Sequence, residues 1–276
     1  DRLAEGSELY VTLEPCSHHG KTPPCTDLII RKGVRAVYAA MKDPNPLVSG
    51  RGLRQLKNAG LEVRAGFQEK KARELNRIFL KNILLQKPYI IVKYAMTADG
   101  YIATCAGDSK WISCEESREE VHRIRHNVKG IMVGAGTVLR DNPRLTARLC
   151  PGGWQPAKVI FDPRGEITSS GFHVFEGEGV ILTEQEKYLD IKGFRNYTLP
   201  GGSAFSGTDF TDVLWEEGLT SLLVEGGSYT IHALLEADLA DEVIVFIAPR
   251  ILGGGLSPAG GRGAPEMALA RPLMNP

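Results

Sequence analysis

Short apolar segments alternate with amphipathic ones along the first 87 residues of the chain. The apolar segments are typical of β-strands, and the segments between them have helical spacing. The pattern predicts strands over residues 9–13, 36–41 and 61–66 and helices over residues 25–32, 52–58 and 69–85. A proline at position 88 disfavours helix at Lys87, and we therefore place a domain boundary between these two residues.

The alternation continues after this boundary. Residues 89–95 are apolar except for Lys93, which favours a strand in the middle of a sheet. Ser113 followed by Glu116 has the form of a capping box and predicts a helix that ends at Asn127. Further strands are predicted over residues 130–134, 158–161, 180–183, 221–225 and 242–247, with helices near residues 210–217 and 229–237. This order predicts mostly parallel sheets covered by helices, an α/β fold.

The C-terminal region is rich in glycine from Gly253 to Gly263. Two interpretations remain open for this stretch, a loose tail and a functional loop. The chain stops soon afterwards, whereas a sheet of this kind is expected to finish with further pairing strands. We therefore expect residues 242–247 to expose an unpaired edge.

Composition argues against several classes of protein. The 276 residues are enough for two domains, and 33 basic against 33 acidic residues leave no global attraction to nucleic acid or to an anionic membrane. The five cysteines are an odd number, and Cys105, Cys114 and Cys150 have no evident partner, which argues against a secreted disulfide-rich protein. No apolar run approaches the roughly 20 residues that span a bilayer, and no signal peptide is visible. We expect a cytoplasmic protein that binds neither nucleic acid nor membrane.

Cys16 and Cys25 are the strongest candidates for metal chemistry. A zinc ion that activates water needs three protein ligands and one open position. In zinc deaminases a His-x-Glu segment supplies the third ligand and a Glu that transfers protons. No His-x-Glu occurs in this sequence, and we interpret His18 and His19 as solvated. The two cysteines therefore form half of such a site, and we expect the other half upstream of Asp1; the alternative is a structural cysteine pair in a turn.

Several motifs, taken in order, resemble one enzyme family. They are Leu13-Glu14-Pro15-Cys16, Asp43-Pro44-Asn45-Pro46, Gly50-Arg51-Gly52, Tyr94 to Gly100, Ser109 to Ser113, Gly136 to Thr146 and Glu225-Gly226-Gly227. The chain is similar to the bifunctional deaminase and reductase family of riboflavin biosynthesis. This resemblance implies an incomplete cytidine-deaminase-like three-layer domain over residues 1–87, followed by a dihydrofolate-reductase-like α/β domain over residues 88–276 that lacks its end.

The resemblance also implies the two reactions. The first is the hydrolytic deamination of a diaminopyrimidine ribosyl phosphate at Zn²⁺, which Cys16 and Cys25 would bind. Lys21 would then contact the substrate phosphate, and Asp43 and Asn45 its base or ribose. A solvated surface residue is the less favoured alternative for Lys21. The second is the NADPH-dependent reduction of the ribosyl group to a ribityl group.

In the second domain the resemblance implies one set of residues around NADPH and another around the substrate. The cofactor residues are Ala95, Trp111, Thr137, Asp141, Pro163, Gly227, Ser228, Tyr229, Thr230, Ile231, His232 and Ala233. The substrate residues are Lys93, Ser109, Arg125, Leu145, Arg148 and Glu225. Without the family, Trp111 would be interpreted as an ordinary core aromatic residue.

The residue types support part of this assignment. Gly134-Ala135-Gly136-Thr137 and Glu225-Gly226-Gly227-Ser228 lie where predicted strands become helices, so their backbone N–H groups suit a pyrophosphate. Neither has the Gly-x-Gly-x-x-Gly pattern, which makes a Rossmann fold the weaker interpretation. Lys93 lies in a buried strand, where an unpaired ammonium is costly, and is therefore a site residue. Arg125 and Arg148 suit phosphate, although each alone is typical of a surface charge.

The function predicted is therefore deamination and then reduction in one chain, acting on a small pyrimidine ribosyl phosphate. We also expect a homo-oligomer. Two alternatives remain open: a reductase with a non-catalytic deaminase remnant, and a zinc- or nucleotide-binding module without turnover.

Overall fold

The chain divides into two compact units, the first through Gln86 and the second from Lys87 to Leu273. The structure, a computed structural model, describes residues 4–20, 22–46, 48–149, 153–201, 205, 208–261 and 263–273. The division falls next to the boundary predicted from Pro88.

The first unit contains a parallel sheet of three strands in the order β1-β2-β3. Its elements are β1 (Glu8–Val11), α1 (Cys25–Arg31), β2 (Ala36–Ala39), α2 (Arg51–Asn58), β3 (Glu62–Ala65), α3 (Glu69–Leu75) and α4 (Arg77–Leu85). Ile29 of α1 and Leu56 of α2 pack with Val37 of β2 in one apolar cluster. On another side of the sheet Tyr10 and Tyr38 stack with ring centroids 4.7 Å apart, and Tyr10 is exposed. The described residues thus give a sheet with its helices, and the three-layer arrangement stays a prediction.

The single helix predicted over residues 69–85 is wrong, because the structure has two helices that meet at Asn76. Asn76 has φ −96° and ψ 14°, outside regular helical geometry. Its side-chain amide donates to the carbonyl oxygen of Ala72 at 2.8 Å. Asparagine side chains compete in this way for backbone groups, a local effect that apolar periodicity does not register.

The second unit is built on a parallel sheet of seven strands in the order β10-β4-β9-β5-β6-β7-β8. The elements are β4 (Tyr89–Thr97), α5 (Glu115–His126), β5 (Gly130–Gly134), α6 (Ala135–Asp141), β6 (Ala157–Phe161), β7 (Gly179–Thr183), β8 (Phe194–Thr198), α7 (Thr208–Glu216), β9 (Ser221–Val224), α8 (Ser228–Glu236) and β10 (Glu242–Ala248). Short 3₁₀ turns cover His173–Phe175 and Met267–Leu269. The α/β fold with parallel sheets is confirmed.

Strand β4 is paired on both sides, with β10 and with β9, which confirms the interior strand predicted from residues 89–95. One strand was not predicted. Strand β8 was missed because most of its side chains are exposed, including Arg195 and Asn196. Helix α6 follows the Gly134 turn as implied, but its bounds were not predicted, since it has only 7 residues and begins with two small ones.

The predicted capping box at Ser113 and Glu116 is wrong. Helix α5 begins at Glu115, its N-cap residue is Cys114, and no side-chain hydrogen bond caps it. The sequence pattern does not specify the backbone angles before a helix, and these angles move the cap to Cys114. The helix ends at His126 with Asn127 as the C-cap residue, close to the predicted end.

Strand β10 lies at one margin of the sheet, and within the described residues it pairs only with β4. The expected unpaired edge is therefore present in this part of the chain, where Ile247 is 63% exposed. Among the same residues no helix is both long enough and apolar enough to cross a membrane.

Candidate functional site

The loop after β1 brings the two predicted metal ligands together. The backbone N–H of Cys25 donates to the sulfur of Cys16 at 3.3 Å, and the hydroxyl of Thr26 donates to the carbonyl oxygen of Cys16 at 3.1 Å. A hydrogen bond with Cys16, together with burial, raises the pKa of the Cys25 thiol. The start of α1 therefore holds both thiols side by side.

Glu14 organises the rest of this site, although only its place in the motif marked it in the sequence. The side chain is buried, and its carboxylate accepts hydrogen bonds from the backbone N–H groups of Asp43, Gly50, Gly52 and Leu53 at 2.9–3.3 Å. A charged acceptor with this many backbone donors is well compensated for its burial. Glu14 therefore joins the loop after β2 to the start of α2.

The predicted substrate residues of the first unit have different surroundings. Asp43 is buried, and this burial raises the pKa of its carboxyl group. A hydrogen bond from the N–H of Asn45 acts in the opposite direction but is the smaller effect. Asn45 is half-buried beside it. Lys21 lies outside the described residues. Asp43 and Asn45 follow the end of β2, and their contact with substrate stays a prediction.

Zinc does not fit the part of the chain that the structure describes. The described residues include no group of three His, Cys, Asp or Glu side chains placed to hold a metal ion. Cys16 and Cys25 supply two thiolates, and a catalytic zinc site needs a third protein ligand.

The second unit contains a cleft of about 1240 Å³ at the carboxyl ends of its strands. In open parallel sheets this is where ligands bind. All six predicted substrate residues of this unit line the cleft, and so do ten of the twelve predicted cofactor residues. The two exceptions are His232, which lies against Gly261, and Ala233, which packs against the apolar core.

Two glycine-containing turns lie next to one another in this cleft because β5 and β9 are neighbouring strands. Gly134 ends β5, and a Cβ atom there would lie 2.5 Å from the hydroxyl oxygen of Thr230. Gly227 precedes α8 with φ 62°, a conformation that favours glycine. In the described part of the chain no side-chain hydrogen bond caps α8, and its first turn lines the cleft, so its first N–H groups are available to a ligand. The two turns form a cradle of backbone donors suited to an anion.

Arg125 and Glu225 form a bidentate ion pair at the cleft wall. Nε and Nη2 of the arginine each lie 2.6 Å from a carboxylate oxygen of Glu225, and Nη1 donates to the carbonyl oxygen of Thr146 at 3.1 Å. The two side chains are 14% and 8% exposed. Burial opposes the charge of Glu225, but Arg125 and Lys93 hold the pKa of its carboxyl group below the ordinary value.

Lys93 reaches this pair because of the strand register. Val92 pairs with Val224, which places Lys93 next to Glu225 across the two strands. Burial lowers the pKa of the Lys93 ammonium, and Glu225 opposes this effect. The Nζ atom also lies 5.4 Å from the centre of the Phe246 ring. The cleft therefore contains a half-buried lysine that loses its proton more readily than an ordinary lysine.

His122 is a cleft residue that the sequence did not indicate. It is one helical turn before Arg125 on α5 and is 4% exposed. Burial, then Arg125 and Arg148, lower the pKa of its imidazole. The spacing of His122 and Arg125 by three residues could have suggested a common helix face.

The loop after α6 carries the remaining substrate residues. Leu145 is buried with φ 48°, and Arg148 is exposed in the cleft. Among the described residues the Arg148 guanidinium makes no hydrogen bond or ion pair. Arg148 is therefore free to bind a ligand, whereas Arg125 is committed to Glu225.

Aromatic rings with arginines over them lie along the cleft. The guanidinium of Arg118 is 4.8 Å from the centre of the Trp111 ring, and that of Arg164 is 5.6 Å from the centre of the Tyr229 ring. Trp111 is 63% exposed, so its interpretation as a core aromatic residue is wrong.

The Gly-rich stretch is held in place where it enters the cleft. Leu256 pairs with Ala103, and the N–H of Gly260 donates to the hydroxyl oxygen of Ser228 at 2.8 Å. The carboxylate of Asp99 accepts from the N–H groups of Leu252 and Gly253. For these residues the loose-tail interpretation is wrong, and the stretch forms part of the cleft wall.

Comparison with known proteins agrees with this geometry. The family model described as the RibD C-terminal domain matches residues 88–272. The riboflavin biosynthesis protein RibD of Aquifex aeolicus is 44% identical over 260 residues, which cover 92% of this chain and 72% of that protein. The chain belongs to the RibD family. A second RibD, from Actinobacillus pleuropneumoniae, is 41% identical over 273 residues, covering 95% of this chain and 72% of its own length.

Solved structures of the RibD family share the fold. The diaminohydroxyphosphoribosylaminopyrimidine deaminase/5-amino-6-(5-phosphoribosylamino)uracil reductase of Thermotoga maritima superposes with a TM-score of 0.87 at 39% identity, covering 97% of this chain and 74% of that one. Acinetobacter baumannii RibD gives a TM-score of 0.83 at 31% identity, covering 98% of this chain and 76% of that one. The family is one of enzymes of riboflavin biosynthesis, which disfavours a binding module without turnover.

Proposed function

We propose that the second unit reduces the ribosyl group of 5-amino-6-(5-phosphoribosylamino)uracil to a ribityl group with NADPH. The first unit would be the deaminase part of the same enzyme. The observation that carries the proposal is the single cleft, which collects six predicted substrate residues and ten predicted cofactor residues. The Thermotoga maritima relative bears the name of the same two activities.

The cradle at β5 and β9 fits a dinucleotide pyrophosphate. Gly134 and Gly227 have no side chain that could stand between the backbone and a ligand. Glycine is needed at both positions, because Gly134 lies close to Thr230 and Gly227 has a positive φ. The N-terminus of α8 favours negative charge there. Thr137 lies beside the same turn, since a Cβ atom on Gly226 would be 3.4 Å from its hydroxyl oxygen. These residues would hold NADPH by its phosphates.

The substrate would bind next to this cradle, at β4 and the neighbouring end of β9. Lys93 and Glu225 meet there through the register of the two strands. The exposed guanidinium of Arg148 would bind the substrate phosphate, since guanidinium groups match phosphate oxygens in pairs. Arg125, which the sequence suggested for the phosphate, would instead fix the carboxylate of Glu225 toward the ribose.

The reaction breaks the bond between C1′ and the ring oxygen of the ribose, adds a hydride to C1′ and adds a proton to the oxygen. NADPH supplies the hydride when it is bound. Lys93 would supply the proton from Nζ, because burial has lowered the pKa of its ammonium. Glu225 would accept a hydrogen bond from a ribose hydroxyl and so hold the sugar in place.

For the first unit we propose hydrolytic deamination. The described residues offer the thiols of Cys16 and Cys25 and the loop that Glu14 organises, but no third metal ligand. Asp43 and Asn45 lie beyond the end of β2 and would contact the pyrimidine or its ribose.

The proposed reductase is tested by following NADPH oxidation near 340 nm, roughly where reduced nicotinamide absorbs. The whole chain is supplied directly with 5-amino-6-(5-phosphoribosylamino)uracil, so that the assay does not depend on deamination. We expect turnover by the wild-type chain and a loss of about 100-fold or more in kcat for Lys93→Met. Binding of NADPH by this variant should change little.

Lys192→Met is the matched control, because Lys192 is exposed and does not line the cleft. It should keep wild-type turnover. No NADPH oxidation by the wild-type chain would reject the reductase proposal. Full activity of Lys93→Met would reject only the role of Lys93 as the proton donor.

We also propose that the chain self-associates through β10. Its outer side has no paired strand among the described residues, and Ile247 is largely exposed there. An unpaired apolar edge favours pairing with another chain. Light scattering of the purified chain tests this, and a strictly monomeric mass at high concentration would reject it.

A further inference from the structure

The loop after β6 is the next loop along the sheet edge beyond the two glycine turns. Strand β5 pairs with β9 on one side and with β6 on the other. The order along this edge is therefore β4, β9, β5 and β6. Lys93 and Glu225 lie at the β4 side, and the loop after β6 contains Asp162, Pro163, Arg164 and Glu166, which all line the cleft.

This order fixes the direction of an extended dinucleotide. Its reacting end must reach the substrate residues near β4, and its pyrophosphate would lie at the cradle of β9 and β5. The adenosine half must then extend toward β6. The chemistry of this discrimination is known from the Rossmann fold, where a carboxylate accepts from the ribose 2′-hydroxyl of NAD and a nearby arginine accommodates the 2′-phosphate of NADP. The same chemistry applies to any loop that reaches the adenosine ribose.

The loop is fixed by Asp162. This residue is fully buried, and its two carboxylate oxygens accept from the N–H groups of Glu166 and Ile167 at 2.9 Å each. The hydroxyl of Tyr188 donates to the same carboxylate at 2.6 Å. Both oxygens of Asp162 are thereby used inside the protein. The carboxylate shapes the loop, and the residues after it face the ligand.

Arg164 is the cation that this loop presents. Its side chain is 70% exposed, and its guanidinium lies over the ring of Tyr229 in the first turn of α8. Its ion pair with Glu166 is long, 3.6 Å, and 44% of the Glu166 side chain is exposed. Exposed pairs of this kind are weak, so a phosphate can replace the carboxylate. Stacking on Tyr229 holds the guanidinium beside the cradle and reduces the entropy lost on binding.

We infer that Arg164 binds the 2′-phosphate of the cofactor's adenosine ribose and determines the preference for NADPH over NADH. The inference rests on the proposed function. Glu166 is the competing residue in the same loop, because a carboxylate could accept from the 2′-hydroxyl of NADH instead. The loop therefore contains both charges that could set the preference, and two variants separate them.

The experiment compares wild type, Arg164→Ala and Glu166→Gln in the whole chain. Dissociation constants are measured by calorimetry for NADPH, NADH, adenosine 2′,5′-bisphosphate and adenosine 5′-phosphate. For Arg164→Ala we expect about tenfold weaker binding of the two 2′-phosphorylated ligands, the effect of losing a charge-assisted bond. Binding of NADH and of adenosine 5′-phosphate should change less than about twofold. Glu166→Gln should bind NADPH as well as or better than wild type.

Arg123→Ala is the matched control, since Arg123 is exposed on α5, pairs with Glu120 and does not line the cleft. It should bind all four ligands as wild type does. An equal loss of NADPH and NADH in Arg164→Ala, or no loss of either, would overturn the inference while leaving the reductase proposal intact. The wild-type chain could instead bind NADH more tightly than NADPH and lose this preference in Glu166→Gln. That result would overturn the inference and assign the preference to Glu166. A wild-type chain that binds neither dinucleotide would reject the proposed function and this inference with it.

Discussion

Replacing Glu225 by Gln should destabilise the second unit although it preserves the shape of the side chain. The carboxylate pairs with Arg125 at two 2.6 Å contacts, and the two side chains are 8% and 14% exposed. Removing one partner of a buried ion pair costs about 3–5 kcal/mol, because the other charge stays buried. The amide oxygen of Gln still accepts one hydrogen bond, which restores about 1 kcal/mol. We expect a loss of about 2–4 kcal/mol in the free energy of unfolding.

Urea unfolding measured by tryptophan fluorescence is the assay, because Trp111, Trp154 and Trp215 all lie in the second unit. With a denaturant dependence of about 2 kcal/mol per molar, the midpoint should fall by about 1–2 M. Glu120→Gln removes an exposed partner of Arg123 and serves as the control, with an expected cost below about 1 kcal/mol.

Two further measurements sharpen this test. The double variant Arg125→Met with Glu225→Gln should be more stable than Glu225→Gln alone, since it removes the unpaired cation. The pKa of Glu225 is depressed in the folded chain, so its stabilising effect is present above the ordinary pKa of about 4.3 and is lost as pH falls through the lower folded value. The difference between wild type and Glu225→Gln should therefore shrink in acid. Equal costs for Glu225→Gln and Glu120→Gln would refute the reasoning.

Three other predictions concern the two sites. Arg148→Ala should raise the KM for the phosphorylated substrate about tenfold and leave NADPH affinity unchanged; a loss of NADPH affinity instead would mean that the cofactor and substrate sides are reversed. The purified 276-residue chain should contain less than one equivalent of zinc by elemental analysis, because Cys16 and Cys25 lack a third ligand among the described residues. A full equivalent of zinc that resists chelators would contradict this prediction. Burial lowers the pKa of Lys93 in the folded chain. The charged side chain therefore destabilises the folded state in full below this folded pKa, and the destabilisation disappears as pH rises to the ordinary value of about 10.4. Lys93→Met should therefore be more stable than wild type at pH about 7, with the gap closing by pH about 10, and a constant gap would argue against a buried ammonium.

The sequence by itself determined the α/β class and most of the elements. Runs such as residues 89–95, which are apolar except for Lys93, and residues 130–134 favour buried strands, because burial on both faces needs apolar residues in succession. It also determined the positions of the glycine turns, since these follow directly from where a strand becomes a helix. The motifs assigned the chain to its family, and comparison with known proteins confirms that assignment.

Local departures from periodicity were not predicted. The break at Asn76 depends on one side-chain hydrogen bond to Ala72, and the cap of α5 depends on backbone angles at Cys114. Neither changes the apolar pattern that the prediction used.

Only the tertiary structure decided which charges are free. Arg125 and Arg148 look alike in the sequence, but strand register and helix packing place Glu225 against Arg125 and leave Arg148 exposed. Without the family resemblance Trp111 would be interpreted as a core residue, but it lies exposed beside Arg118. Such pairings depend on the order of strands in the sheet, which brings residues about 100 positions apart into contact and which no local pattern contains.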